Sequence, residues 1–144
     1  MKLKSLDSII INDIPLLIKS DYIIDFLNNM SDKDRALNIF KISSFLIHEY
    51  NSYDYRNNIH RNIETHDIFK LINVYGYGVC KQFTLMMGYL LDVFRITNRI
   101  LYLGRNKGEE FDHFAIEVYY DSCWHYFDPD LEIYFVFDNT VASV

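Results

Sequence analysis

Cysteine, proline and glycine are all scarce here: two cysteines, two prolines and five glycines in 144 residues. Two cysteines, Cys80 and Cys123, are too few for a disulfide framework and fit a reducing compartment. Positive charge is also in deficit, with a formal net charge of -6, so the basic face that a nucleic-acid-binding protein normally shows is missing. No window approaches eighteen uncharged apolar residues, so no transmembrane helix is predicted. Met1-Lys2-Leu3-Lys4 imitates the charged start of a secretory leader, but Asp7 and Asp13 interrupt the apolar segment that should follow. The expectation is a cytoplasmic chain. Internal repeats, low-complexity tracts and linkers are absent from the sequence too.

What the chain does have is apolar and aromatic mass. Half of its residues are hydrophobic and 17% are aromatic, enough to fill one substantial core and to argue against disorder. A single domain over 1–144 is expected, with residues 1–31 as an N-terminal extension packing on it. Ser31 followed by Asp34 reads as a capping-box helix start, with Asp in place of the preferred Glu. Ala36, Ile39, Phe40, Ser43, Ile47 and Tyr50 then give a helical stripe over 32–50. Residues 51–64 are polar, aromatic and aperiodic, and read as a surface loop. Thr65 can cap a short helix carrying Ile68, Phe69 and Ile72.

The chain is organised around Tyr75-Gly76-Tyr77-Gly78-Val79-Cys80 and the run behind it. The two glycines offer positive-φ freedom just before the cysteine. Phe83, Met87, Leu90, Leu91 and Phe94 recur at helical steps, which puts Cys80 at a helix N-terminus. The unpaired amides and positive dipole end there favour a thiolate, so Cys80 is a candidate nucleophile with a lowered pKa. A buried structural cysteine is the competing reading.

Beyond this helix the period falls to two. Residues 99–104 read as a strand and Arg105–Asp112 as a charged loop. His113–Tyr120 and Cys123–Asp128 then form two β-rich runs flanking Asp121-Ser122, a tight hairpin. If Tyr120 faces Cys123, Glu117 faces Tyr126 and Ala115 faces Asp128. His113 then shares a face with Asp128 and stands diagonal to it, ~7–8 Å away by Cα and within side-chain reach. Cys123 and His125 point to the other face. They could be two ligands of a metal site, but no further spacing completes one. Trp124 reads as support for the sheet. His48, His60 and His66 have no evident partners, and the Tyr50-Tyr53-Tyr55 cluster either lines a cleft or covers the core.

A thiol, an imidazole and a carboxylate in this order are the parts of nucleophilic acyl transfer. Cys80 would attack a carbonyl, His113 shuttle the proton and Asp128 orient the imidazole. The Cys80 backbone N–H is the candidate oxyanion donor.

Tyr77-Gly78-Val79-Cys80 resembles the Tyr-Gly-Gln-Cys turn of transglutaminases. His113-Phe114-Ala115-Ile116-Glu117-Val118, then Trp124-His125-Tyr126-Phe127-Asp128-Pro129, is similar to that superfamily's His-strand, Trp and Asp-Pro. The helix before Asn51-Ser52-Tyr53 is similar to the lead-in of its bacterial members. The resemblance covers residues 32–135 and implies an α+β, papain-like fold, with the cysteine on a helix packed against an antiparallel β-sheet. It further implies a Cys80–His113–Asp128 triad acting on the amide of a peptide or protein through a thioester, without cofactor or metal. Hydrolysis is the favoured reaction. The alternatives are a protein-glutamine transglutaminase or deamidase, and a catalytically silent binding module on the same shell. Val79 and Lys81 stand where the best-known transglutaminases have Gln and Trp. Arg95 stands where the family has a glycine, and nothing resembles a calcium loop.

Overall fold

A computed structural model describes residues 25–49, 67–68, 71–72, 76–104 and 112–142. Its first long element, helix α1 (Asp32–Leu46), starts as the capping pattern predicts. The Ser31 side chain accepts a 3.1 Å bond from the Asp34 amide and donates a 2.7 Å bond to the Asp34 carboxylate. Asp32 and Asp34 sit in the first turn, against the positive end of the helix dipole. Ahead of the helix, Leu27 is fully buried, and Arg35 ties the approaching chain down through bonds of 2.8 Å to the Leu27 carbonyl and 2.9 Å to that of Met30.

The helix ends at Leu46, short of the expected Tyr50. Ile47 leaves it in extended conformation, and strand β1 (His48–Glu49) pairs in parallel with strand β2 (Tyr77–Gly78). Ile47 is buried all the same. An apolar residue looks identical in sequence whether a helix or a strand buries it, so the stripe overran the true end. The consequence is positional, because α1 is tied to the two residues just ahead of Val79-Cys80.

Helix α2 (Cys80–Val93) buries Phe83, Met87 and Leu91, with Leu90 and Phe94 partly covered. It packs against the central antiparallel sheet, strands β3 (Asn98–Gly104), β4 (Asp112–Tyr120) and β5 (Cys123–Phe127), in spatial order β3-β4-β5. Ala36, Ile39 and Phe40 of α1 join Met87, Leu91, Ile116, Val118 and Phe127 in one cluster, while Leu46, Ile47, Leu71, Ile72, Phe83 and Met86 form a second. A short hairpin of β6 (Val136–Phe137) and β7 (Thr140–Val141) closes the described chain.

Among the described non-glycine residues, left-handed backbone falls at Arg95, Asp121-Ser122, Glu132 and Asp138-Asn139. Asp121 and Ser122 have φ of 48° and 67°, the positive values at both centres that mark a type I′ hairpin turn. The resulting register pairs Tyr120 with Cys123, Glu117 with Tyr126 and Ile116 with Phe127, as the sequence predicts. At the end of α2, the Arg95 amide bonds back to the Asp92 carbonyl and the Ile96 amide to that of Leu91, each at 3.0 Å, which is a Schellman cap. Arg95 itself is left-handed at φ 58°, where a non-glycine residue costs on the order of 1 kcal/mol.

On the sheet, the buried Glu117 accepts a 2.7 Å bond from Nε of Arg99, whose guanidinium lies 4.1 Å over the Trp124 ring. Trp124 thus supports the sheet. Among the described residues, no helix is long and apolar enough to cross a membrane. Residues 51–64, Thr65, His66 and Phe69 lie outside the described residues, as do residues 105–111 and the side chain of His48.

Candidate active site

Cys80 is the first residue of α2, with Val79 as the extended N-cap residue. Valine has no polar side chain to cap a helix, so Gln82 reaches back and its Oε1 accepts a 3.2 Å bond from the Val79 amide. Of the two glycines ahead of the cysteine, only Gly76 uses positive φ, at 68°. Gly78 serves a different need. A Cβ there would sit 2.7 Å from Ile47 Cδ1 and 2.8 Å from Gln82 Cβ, so only glycine lets β2, the end of α1 and the start of α2 meet. The expectation of conformational freedom at both glycines is corrected to close approach at the second.

The helix is fastened to the sheet beside the imidazole. Thr84, one turn after Cys80, donates a 3.1 Å bond to the carbonyl of Phe114, the neighbour of His113. His113 rises from the start of β4, and its Nε2 lies 2.6 Å from Oδ2 of Asp128. The hairpin arithmetic anticipated this meeting. The ladder itself closes one pair earlier, at Ile116 and Phe127, and Asp128 turns away to bridge Ile133 through two backbone bonds.

Asp128 is only 1% exposed and is satisfied from several sides. The Leu131 amide donates to its Oδ1 at 3.1 Å, and the Tyr126 hydroxyl to its Oδ2 at 3.3 Å. Burial, reinforced by Asp128, pushes the Tyr126 hydroxyl up to about 12, which keeps it a donor across the physiological range. A carboxylate can only accept, so in a neutral imidazole its bond to Nε2 places the proton on that nitrogen and the lone pair on Nδ1.

Sγ of Cys80, a ring nitrogen of His113 and a carboxylate oxygen of Asp130 all lie within 4.8 Å of one another. Asp130 was not singled out from the sequence, because the hairpin register that places Asp128 says nothing of residues beyond the strand. Tyr126 and Gln82 were missed as well. Period-two alternation from Asp128 would have put Tyr126 on the same face; Gln82 carries no comparable signal.

The electrostatics correct one expectation. The Cys80 thiol is pushed up from its ordinary value, first by burial, then by the nearby Asp130 and Asp128 carboxylates. Hydrogen bonds to the backbone of Phe114 and Lys81 oppose this without cancelling it. A helix terminus favours a thiolate, but here desolvation outweighs it.

Cys123 and His125 belong elsewhere, as the register requires. The buried His125 ring stacks on Tyr120 at 3.7 Å, its Nδ1 meets the Val141 carbonyl, and its Nε2 lies 3.2 Å from Cys123 Sγ.

No family model matches the sequence, and no curated protein matches it. Among solved structures, the crystal structure of a TGase superposes with a TM-score of 0.53 at 16% identity, covering 86% of this chain and 33% of that one. The chain thus spans about a third of that structure's length. At such low identity the likeness is one of fold: a mixed helix and antiparallel-sheet architecture with a TGase-like neighbour, in which a cysteine, a histidine and an aspartate come together.

Proposed function

We propose that this chain is a thiol-dependent acyl-transfer enzyme with a papain-like shell, cleaving an amide of a peptide or protein through a thioester. The observation that carries the reading is the 2.6 Å contact between His113 and Asp128, with the Cys80 thiol beside the imidazole. The Asp128 bond aims the Nδ1 lone pair away from the carboxylate, where it can accept the thiol proton.

The steps follow from the parts. Burial disfavours a resting thiolate, so His113 removes the Cys80 proton as the sulfur attacks the carbonyl carbon. A C–S bond forms, and the carbonyl electron pair moves to oxygen beside the Cys80 N–H at the helix start. Collapse restores the carbonyl, breaks the C–N bond and expels the amine, which takes the proton held by His113. Water then attacks the thioester with His113 again as base, releasing the acid and the thiol. General base catalysis of this kind contributes roughly 10²- to 10⁴-fold. An amine in place of water at the second stage gives transamidation, the alternative outcome.

The test is capture of the thioester. The full chain is offered a library of peptide amides, and intact mass is followed at early times. An adduct should form on wild type, vanish in Cys80→Ala and nearly vanish in His113→Ala. Asp128→Ala should slow it less, because a poorly oriented imidazole still accepts protons. Folded variants as active as wild type would remove the assignment. A wild type that never acylates, yet binds a partner no better than the Cys80→Ala variant does, would make the chain a binding module.

A further inference from the structure

Beside the imidazole lies a ligand set that acyl transfer does not use as a set. Cys80, His113 and Asp130 come from three different places, the first residue of α2, the start of β4 and the turn after β5. Their sulfur, nitrogen and oxygen atoms nevertheless converge to within 4.8 Å of one another. We propose that these three side chains form a reversible site for one zinc-class divalent cation, which masks the thiol when bound.

The chemistry of the donors selects the ion. One thiolate, one imidazole and one carboxylate make a borderline-soft set that suits Zn²⁺, whereas Mg²⁺ and Ca²⁺ require oxygen ligands. Zinc binds such atoms at about 2.0–2.3 Å, so tetrahedral partners stand roughly 3.3–3.8 Å apart. Atoms already within 4.8 Å need close by only about 1 Å, within the reach of side-chain rotation. Three protein ligands leave the fourth position open to water, as in zinc sites that exchange their metal or bind a substrate.

The imidazole is already prepared for an ion. A metal-binding histidine characteristically donates its other ring N–H to a carboxylate, which fixes the tautomer and raises ligand basicity. His113 does this through Nε2 to Asp128, which is itself held by the Leu131 amide and the Tyr126 hydroxyl. With Nε2 engaged by Asp128, Nδ1 is the ring nitrogen left to take either a thiol proton or a cation. The charges agree as well, since two carboxylates, Asp128 and Asp130, lie near the Cys80 sulfur, and a divalent ion would offset two of the three negative charges present once the thiol proton has left. On binding, the ion displaces the thiol proton to solvent, an S–metal bond replaces S–H, and the sulfur is no longer free to attack.

This inference is independent of catalysis, because an ion needs no turnover to bind. The experiment takes the full chain stripped with a chelator and titrates it with Zn²⁺ by calorimetry and with Co²⁺ by absorption. Wild type and Cys123→Ser should each bind one equivalent, and the cobalt forms should show a sulfur-to-cobalt charge-transfer band in the near ultraviolet. Cys80→Ser should lose that band. Asp128→Asn, which removes the support of a ligand, should weaken binding by about 10- to 100-fold, and Asp130→Asn, which removes a ligand carboxylate, by at least as much. Asp130 is only half-buried, so its conservative variant keeps the comparison usable should a change at Cys80 or Asp128 disturb folding. Stoichiometric binding that survives Cys80→Ser, or disappears instead with Cys123→Ser, overturns the proposal, as does a wild type that binds neither metal. A chain that binds Zn²⁺ but never acylates refutes the enzyme and leaves this site standing; one that acylates and ignores zinc does the reverse.

Discussion

Thr84 and Phe114 hold the two halves of the site together: the hydroxyl on the cysteine helix bonds the carbonyl next to His113 on β4. Thr84 is completely buried. Thr84→Val keeps the shape, removes the donor and takes this bond from the Phe114 carbonyl at the helix–sheet junction. A loss of ~1–3 kcal/mol in urea unfolding is expected, with slower acylation of Cys80 in the folded protein. Unchanged stability would mean that this bond does not fasten the helix.

Gly78→Ala tests the close approach ahead of the cysteine. The added methyl meets Gln82 Cβ, which is anchored to a helix, and Ile47 Cδ1, which can move. Overpacking of this kind costs ~1–3 kcal/mol. Gly76→Ala meets nothing within 4 Å and should incur only the left-handed strain, a destabilisation on the order of 1 kcal/mol. Thermal melts should therefore rank Gly78→Ala below Gly76→Ala; the opposite order would discredit the packing argument.

The thiol has a pH signature. With chelator present, alkylation of Cys80 by iodoacetamide should reach half its maximal rate above pH 9.0, the ordinary thiol value, because burial and the two aspartates favour S–H. Asp130→Asn should bring that midpoint down. The linkage sign follows: the stability this group contributes is present below the ordinary thiol pKa and is lost as pH rises through the higher folded value. A midpoint below the ordinary value would restore the resting thiolate that the helix terminus alone implies.

Arg95→Gly should stabilise the protein by up to about 1 kcal/mol, since it relieves a left-handed arginine while the Schellman bonds stay in place. Greater backbone freedom in the unfolded chain offsets part of this gain. Denaturant midpoints measure it directly, and a destabilised variant would show that the exposed side chain contributes more than the strain removes.

What the sequence disclosed was local. The Ser31 cap, the start of α2 at Cys80 and the register around Asp121-Ser122 each depend on a few neighbouring residues, and each is seen in the structure. That register was enough to bring His113 to Asp128. The end of α1 was not legible, because Ile47 satisfies either period. Nor was the direction in which the Cys80 thiol shifts: a helix terminus is visible in a sequence, whereas desolvation depends on everything folded around it. Asp130 stayed hidden for a related reason, since only the turn after β5 carries it back to the thiol.

The Asp121-Ser122 turn also sets an order of assembly. His113 and Asp128 are 15 residues apart and are joined by one hairpin, a unit that forms in ~1–10 μs. Thr84 and Phe114 are 30 residues apart, and their loop entropy is recovered only when α2 docks on the finished sheet. Pulsed hydrogen exchange during refolding should therefore protect the amides of β4 and β5 before those of α2; protection of both together would mean a single concerted step. In the order expected here, the imidazole–carboxylate pair is complete while the sulfur is still unaligned. A partly folded chain then carries a proton shuttle with nothing to activate, and the chemistry becomes available only with the last docking event.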